Sequence, residues 1–549
     1  MNKKIVIVGG VAGGATAAAR LRRLDETSHI VLFERGEHIS FANCGLPYYI
    51  GETIQKREKL LVQTVEGMSK KFNLDIRNLS EVTKINRDNK TIYVKNLQSG
   101  EVYEESYDVL VLSPGAKPLV PPIPGLNEAE NVFTLRNIPD TDKIKGFVDN
   151  EQPKEAVVVG GGFIGLEMAE NLVDRGVKVT LIEMANQVMA PLDYEMAAIV
   201  HKHLNEKGVN LLLEDGVKAF EDQGKIVVLS SGNTVSTDMI ILSIGVRPEN
   251  TLAADAGLDV GERGGIRVNE YLQTSDESIF ALGDAIEVID FMSRTAAMVP
   301  LAGPANRQGR IVANNIYGKS EKYHGTLGTA IAKVFDLAVA TTGNNEKVLQ
   351  RLGVEYNVIH IHPTSHAGYY PGAHPIALKL IFEEATGKIF GAQAVGAHGA
   401  DKRIDVIATA IKGGLTVFDL TELELAYAPP FSSAKDPVNM AGYVATNIID
   451  EGVETVQWHE IDEIVEDGGL LIDVREPNER KAGFIKGSVN IPLGDIRERL
   501  VDLPKGQAIY VSCQVGLRGY LATRILMANG FKVKNLDGGW KTYSAVYHN

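Results

Sequence analysis

Two cysteines are all the thiol chemistry this chain of 549 residues has, and they lie far apart in sequence. Cys44 stands in HISFANCGLPYYIG, residues 38–51, between Asn43 and Gly45, with no second cysteine nearby to close an intramolecular disulfide. Three chemistries stay open for such a thiol: a sulfenic acid cycle, a mixed disulfide with a small thiol, or none, since free cysteine is often an inert buried hydrophobe. Its place in a loop containing Gly and Pro weighs against the last. Cys513 stands in VSCQVGLRG, straight after an apolar strand pattern and before a helical one. A loop so placed aims several backbone N–H groups at one anion and favours a thiolate.

A redox thiol needs an electron source, and two segments have the form of one. KKIVIVGG, VAGGATAAARLRRL and HIVLFERG read as strand, turn, helix and strand. The pattern returns near residue 156 as EAVVVGGG, FIGLEMAENLVDRG and KVTLIEMA, and the second strands close on Glu34 and Glu183. A dinucleotide pyrophosphate needs backbone N–H groups at close range and the positive end of a helix dipole. Glycines permit that approach, and the acid accepts hydrogen bonds from a ribose. Gly160, Gly162 and Gly165 complete a G-x-G-x-x-G pattern, whereas the first copy keeps Gly9 and Gly14 but has Val11 in the middle. After Glu183, Met184-Ala185-Asn186 offers no cation for a 2′-phosphate, so NADH is expected over NADPH.

The elements around these residues predict an α/β protein of several domains. IFALGDA, residues 279–285, sets Asp284 after a further apolar strand. From about Gly325 to Tyr443 strands and helices carry many aromatic residues, and the acidic IIDEGVETVQW reads as a linker to a small α/β domain. Hydrophobic residues make up 44% of the chain and charged ones 23%, ordinary for a globular protein. A formal net charge of −14 argues against nucleic acid as a partner. Two cysteines predict a reducing compartment, and no apolar run reaches the length of a membrane span, so a cytoplasmic protein without a membrane partner is expected. No metal site is predicted.

The duplicated turn, together with SPGAKP, SIGVRPEN and IFALGDA, resembles the pyridine nucleotide–disulfide oxidoreductase family over roughly residues 1 to 445. The resemblance implies two Rossmann-like dinucleotide-binding domains and an α+β dimerisation domain. FAD would be held by 1–149 with 264–322, NAD(P)H by 150–263, and a homodimer formed through 323–446, with a linker at 447–456. Gly9, Gly14, Glu34 and Asp284 would serve FAD, and Gly160, Gly162, Gly165 and Glu183 would serve NADH. Peroxidases of the family carry a histidine in the first turn, where this chain has Ala12. SFANCGLPYYIG is instead similar to the coenzyme A disulfide reductases, whose single cysteine forms a mixed disulfide with coenzyme A. HAGYYPGA at 366–373 and ELAYAPPFSSAKDPVN at 424–439 agree with that subfamily. By the resemblance, Tyr369 and Tyr427 project from the dimer partner towards Cys44, where a phenol donates a hydrogen bond at a disulfide exchange site. Arg20, Arg23 and Lys71, with Ser40 and Asn43, would bind coenzyme A.

IDVREPNE and DGGW are similar to the rhodanese homology domain, expected over 457–549. That resemblance implies a persulfide on Cys513, an active loop running to Arg518, and structural roles for Asp473 and Arg475. Where rhodaneses commonly read GHIPGA this chain reads GFIKGS at 483–488, so Phe484 is expected to alter the rim. The combined expectation is an NADH-dependent flavoprotein that reduces coenzyme A persulfide, coenzyme A disulfide or polysulfide, with the rhodanese domain feeding sulfane sulfur. The alternatives are an NADH oxidase using a sulfenic Cys44, and a persulfide carrier or redox sensor.

Overall fold

The computed structural model describes residues 3–547. The chain forms two compact units, one from residues up to Asn186 plus Gly208–Gly328, the other from Gln187–Lys207 plus Thr329 onward.

The first unit is built on two parallel five-stranded sheets. The first runs Ile279–Ala281, Val109–Leu112, Lys4–Val8, His29–Phe33, Asp75–Arg77. The second runs Asn210–Leu212, Lys178–Ile182, Glu155–Val159, Met239–Leu242, Val132–Phe133. KIVIV and EAVVV are buried along nearly their whole length, as central parallel strands covered on both faces must be. Ile5, Ile7, Ile30, Leu32, Leu110 and Val111 form the centre of the first core. In-register pairing of Val8 with Phe33 and Leu112, and of Val159 with Ile182, aligns the carboxyl ends of neighbouring strands. Everything that follows those ends therefore emerges along one edge of each sheet, where open α/β sheets bind ligands.

The second unit contains an antiparallel sheet, Ala330–Val334, Leu337–Gly343, Ile389–Gly396, Ile376–Phe382, Asn357–Ile361, backed by the helix Ala400–Gly413. It also contains a parallel sheet, Glu454–Val456, Val533–Leu536, Ile509–Ser512, Leu470–Asp473, Val489–Asn490.

Across the stretch 447–456 the helix Pro437–Glu451 runs on to a left-handed cap at Gly452, and Glu454–Val456 is an edge strand of the parallel sheet. Residues 187–207 belong to the second unit. There the helix Tyr194–Glu206 packs on the helix Gly539–Tyr547, and the Tyr194 ring stacks on Trp458 with centroids 6.2 Å apart. Its buried face, Met196, Ala197, Val200 and Leu204, needs partners, and the helix contacts both Gly539–Tyr547 and the strand Ile389–Gly396. Among the described residues no helix is long and apolar enough to cross a membrane.

Candidate active site

The two glycine turns have the same internal wiring. Glu34 accepts from the N–H of Gly10 at 2.9 Å and of Gly36 at 2.8 Å. Glu183 accepts from the N–H of Gly161 at 2.7 Å and of Ala185 at 2.9 Å. Each carboxylate thus fixes its own turn as well as facing outwards, a duty the sequence pattern does not disclose. Both oxygens keep a second lone pair for ribose hydroxyls. A Cβ on Gly14 would sit 1.9 Å from the Gly9 carbonyl oxygen, and one on Gly165 would sit 1.9 Å from that of Gly160. Only glycine lets each helix start so close to its strand. Beside Gly162 the space is open, with nothing within 4 Å of a would-be Cβ, so a pyrophosphate can reach the backbone there. In the first turn Val11 holds the matching place at the start of the helix Ala12–Leu24.

Asp284 follows the strand Ile279–Ala281 at the same sheet edge. Its carboxylate accepts no hydrogen bond from the described residues, and burial raises its pKa against the pull of Arg136. A half-buried acid with free lone pairs beside a glycine turn fits a polyhydroxyl chain. Met184, next to Glu183, is exposed, with Ala185 and Asn186 following.

Cys44 lies in the short turn Asn43–Gly45 and is exposed and free. Although its side chain reaches solvent, the protein around it and the charges of Glu167 and Asp284 push the thiol above its usual range. The helix Leu46–Ile50 after it packs on the helix Phe163–Asp174, which carries Glu167. Burial, and then the charge of Glu170, raises Glu167 to about 7. Burial together with Glu167 raises the Tyr48 phenol to about 12. Glu167 and Tyr48 are site residues that sequence reasoning missed. The available signal was an acid in GGGFIGLE at the start of a helix that must face the cofactor edge.

Ser40 has φ +46, a strained conformation for a side-chain-bearing residue. Its N–H bonds to the Gly10 carbonyl at 2.9 Å, which ties the Cys44 loop to the first turn. Asn43 is exposed. Of the basic residues, Arg20 donates to Asn314 at 3.0 Å, while Arg23 and Lys71 are exposed. The buried Arg22 donates to the carbonyls of Phe72 and Asn73, and so draws the segments carrying Arg23 and Lys71 side by side.

In the second unit Tyr369 and Tyr427 meet hydroxyl to hydroxyl at 2.9 Å. Tyr369 is 77% exposed, and the Tyr427 hydroxyl holds its phenol above the usual range. Cys513 is 1% exposed, and its sulfur accepts from the Gly516 N–H at 3.1 Å. Arg518 is engaged elsewhere, donating from both terminal nitrogens to Glu479 at 2.6 Å. Arg475 and Asp473 form a buried pair at 2.8 Å, and Arg475 also reaches Gln514 at 3.2 Å and caps the Trp540 ring. Phe484 is exposed under the guanidinium of Arg480, 4.3 Å from its ring centre. Asp193, Glu195 and Glu346 gather three carboxylates closely enough for a cation, and the Lys379 ammonium already bridges all three.

Two dinucleotide turns and an exposed thiol in one unit define the class: an oxidoreductase that moves electrons between a pyridine nucleotide and sulfur. The chain belongs to the family described as pyridine nucleotide-disulphide oxidoreductase, which matches residues 3–308, with that family's dimerisation domain at 329–437. A rhodanese-like domain matches 457–546. The chain is 38% identical over 451 residues to a coenzyme A disulfide reductase of Staphylococcus haemolyticus, covering 81% of this chain and 100% of that one. Its fold matches reduced Bacillus anthracis CoADR-RHD with a TM-score of 0.99 at 63% identity, covering 100% of this chain and 99% of that one. It also matches an NAD-dependent persulfide reductase from A. fulgidus with a TM-score of 0.92 at 39% identity, covering 98% and 100%. The family implies FAD and NAD(P)H, and the two turns fit them.

Proposed function

We propose that this chain reduces coenzyme A persulfide, and coenzyme A disulfide, with electrons from NADH, and that Cys513 supplies sulfane sulfur drawn from polysulfide. The observation that carries the reading is the lone exposed Cys44 in the unit that holds both dinucleotide turns, because its disulfide partner must then come from a substrate. Coenzyme A disulfide and persulfide reductases among its relatives support that choice of substrate.

The Cys44 thiolate attacks the sulfur that coenzyme A carries, and hydrosulfide leaves from a persulfide or coenzyme A thiolate from a disulfide. A Cys44–S–S–CoA bond results. FAD held at the turn of Gly9, Gly14 and Glu34, with Asp284 beside it, would pass on the two electrons of NADH that this bond needs to return as two thiolates. The balance is NADH, one proton and CoA–S–SH giving NAD⁺, CoA–SH and H₂S. Glu167, near half-protonation at neutral pH, serves as the local proton store. Arg20, Arg23 and Lys71 hold the coenzyme A phosphates, with Ser40 and Asn43 lining the approach. Across a homodimer, the Tyr369–Tyr427 pair of one subunit protonates the sulfur leaving Cys44 of the other. With Met184-Ala185-Asn186 after Glu183, NADH is used in preference to NADPH. The Cys513 thiolate attacks a terminal sulfur of polysulfide and expels a chain one sulfur shorter; coenzyme A thiolate then attacks the outer sulfur of the Cys513 persulfide and releases the Cys513 thiolate, and Arg518 borders the loop that holds it.

The test is anaerobic NADH oxidation with coenzyme A persulfide, coenzyme A disulfide and polysulfide, with hydrosulfide measured in parallel. Cys44→Ser is expected to abolish all three activities and Cys513→Ser only the polysulfide one. Turnover with oxygen alone, indifferent to the three substrates, overturns the reading in favour of an NADH oxidase. Cys513 persulfidation with slow NADH turnover on every acceptor leaves a sulfur carrier.

A further inference from the structure

His360 lies on the strand Asn357–Ile361 of the antiparallel sheet and is 3% exposed. Its backbone N–H donates to Asp537 Oδ1 at 3.0 Å, its Nδ1 faces Asp537 Oδ2 at 2.6 Å, and its Nε2 faces Glu195 Oε1 at 2.9 Å. With a carboxylate on each ring nitrogen both must donate, so the ring is an imidazolium. Burial opposes that charge, but Asp537 and Glu195 prevail and raise the ring to about 9. Lys379, fully buried, ties Glu195 to Asp193 and Glu346 behind it.

Asp537 is the last residue before the Gly538-Gly539 pair that leads to Trp540, and these residues reach the Cys513 loop directly. The Trp540 N–H donates to the Cys513 carbonyl at 2.7 Å, and the Lys541 N–H to the Gln514 carbonyl at 3.0 Å. There is no slack between the two ends. A Cβ on Gly538 would lie 2.9 Å from that of His360, and one on Gly539 2.5 Å from the Cys513 carbonyl oxygen. Both glycines have positive φ, +66 and +59. Four consecutive residues therefore run from the His360 carboxylate partner to the peptide groups that shape the thiol loop.

We infer that His360, acting through Asp537, is a positioning residue for the Cys513 loop, so that the antiparallel domain sets the geometry of the sulfurtransferase loop from outside the rhodanese domain. A rhodanese domain carried on a flexible tether would shape its loop alone. Here one residue of the neighbouring sheet holds the strap on which the loop rests.

Functionally this rests on the proposed persulfide at Cys513, and the test separates the two claims. In His360→Asn the amide nitrogen takes the place of Nδ1 and keeps the Asp537 bond. In His360→Gln it takes the place of Nε2, so of the two side-chain bonds only that to Glu195 is kept, while the backbone N–H bond to Asp537 remains in both variants. The full-length holoenzyme is treated anaerobically with polysulfide, and persulfide formation on the Cys513 peptide is followed by mass spectrometry. Coenzyme A disulfide turnover and thermal unfolding are measured on the same samples. Loss of one hydrogen bond to a charged group predicts persulfidation about tenfold slower in the Gln variant and within about threefold of wild type in the Asn variant. Coenzyme A disulfide turnover should be unchanged in both. Asp537→Asn, which keeps the volume but weakens the bond, is expected to behave as the Gln variant and serves if that variant fails to fold. Equal slowing in Asn and Gln variants, in step with their melting temperatures, overturns the inference and leaves His360 as packing; so does no slowing in any variant. Wild-type protein that forms no persulfide on Cys513 overturns the proposed sulfur transfer itself.

Discussion

At the scale of single residues, burial and then the charge of Glu167 hold the Cys44 thiol above its usual range. Glu167 is raised from its ordinary 4.5 to about 7. It binds its proton more tightly folded than unfolded, so the stability it contributes is full below 4.5 and is lost as pH rises through 7. Its charge above pH 7 is also one reason the Cys44 thiol resists ionisation. In Glu167→Gln that charge is absent. Alkylation of Cys44 in NADH-reduced holoenzyme at pH 8 is therefore expected to quicken by roughly two- to fivefold, with variant and wild type alike at pH 6. Identical rates at both pH values would show that Glu167 does not govern the thiol. The unfolding free energy of the wild type relative to the variant should also fall between pH 5 and pH 8.

At the scale of elements, the proposed function gives the two copies of one strand–turn–helix device two separable duties. Gly14→Ala and Gly165→Ala introduce the same clash, 1.9 Å from a carbonyl oxygen, in different turns. The first is expected to yield protein with little bound flavin, read from its visible spectrum. The second should keep its flavin but raise the KM for NADH at least about tenfold. If both variants lose flavin alike, the assignment of one turn to each dinucleotide fails.

These elements were readable in the sequence because their signal is local: an apolar run, glycines at fixed offsets, and an acid closing the next strand. Cys44 and Cys513 stood out for a similar reason, as the two cysteines of the chain in distinctive loops, whereas Tyr369 and Tyr427, two of 18 tyrosines, were singled out by the family resemblance alone. What stayed hidden depends on contacts between distant segments. The helix Tyr194–Glu206 reads as one more amphipathic helix of the dinucleotide domain, and nothing local announces that its partner is the helix Gly539–Tyr547. Nothing local in REPNER announces that Glu479 pairs with Arg518, 39 residues further on. The strand Glu454–Val456 was obscured by acidic neighbours, because an edge strand needs few apolar residues.

At the scale of the whole molecule, the exposed aromatic residues are unevenly placed. Tyr369, Tyr370, Tyr427 and Phe431 are all exposed, and the segments bearing them are joined by the Ala367 N–H to Ser432 carbonyl bond. Phe431 alone is 72% exposed. Such a patch on the dimerisation domain, in a chain of net charge −14 that otherwise repels its own kind, suits a second copy. Phe431→Asp is expected to halve the sedimenting mass and to lower coenzyme A disulfide turnover at least about tenfold, since the tyrosine pair then serves no neighbour. A variant that stays dimeric and active would place the interface elsewhere.

The bond between His360 and Asp537 bears on how such a chain can be recombined. A rhodanese exchanged for a foreign one carries its cysteine and its loop sequence with it, but the recipient sheet presents a charged ring that was matched to one particular acid. Unless the newcomer has a carboxylate where Asp537 stands, the graft inherits the catalytic letters without the fastening, and it leaves a buried cation facing a stranger.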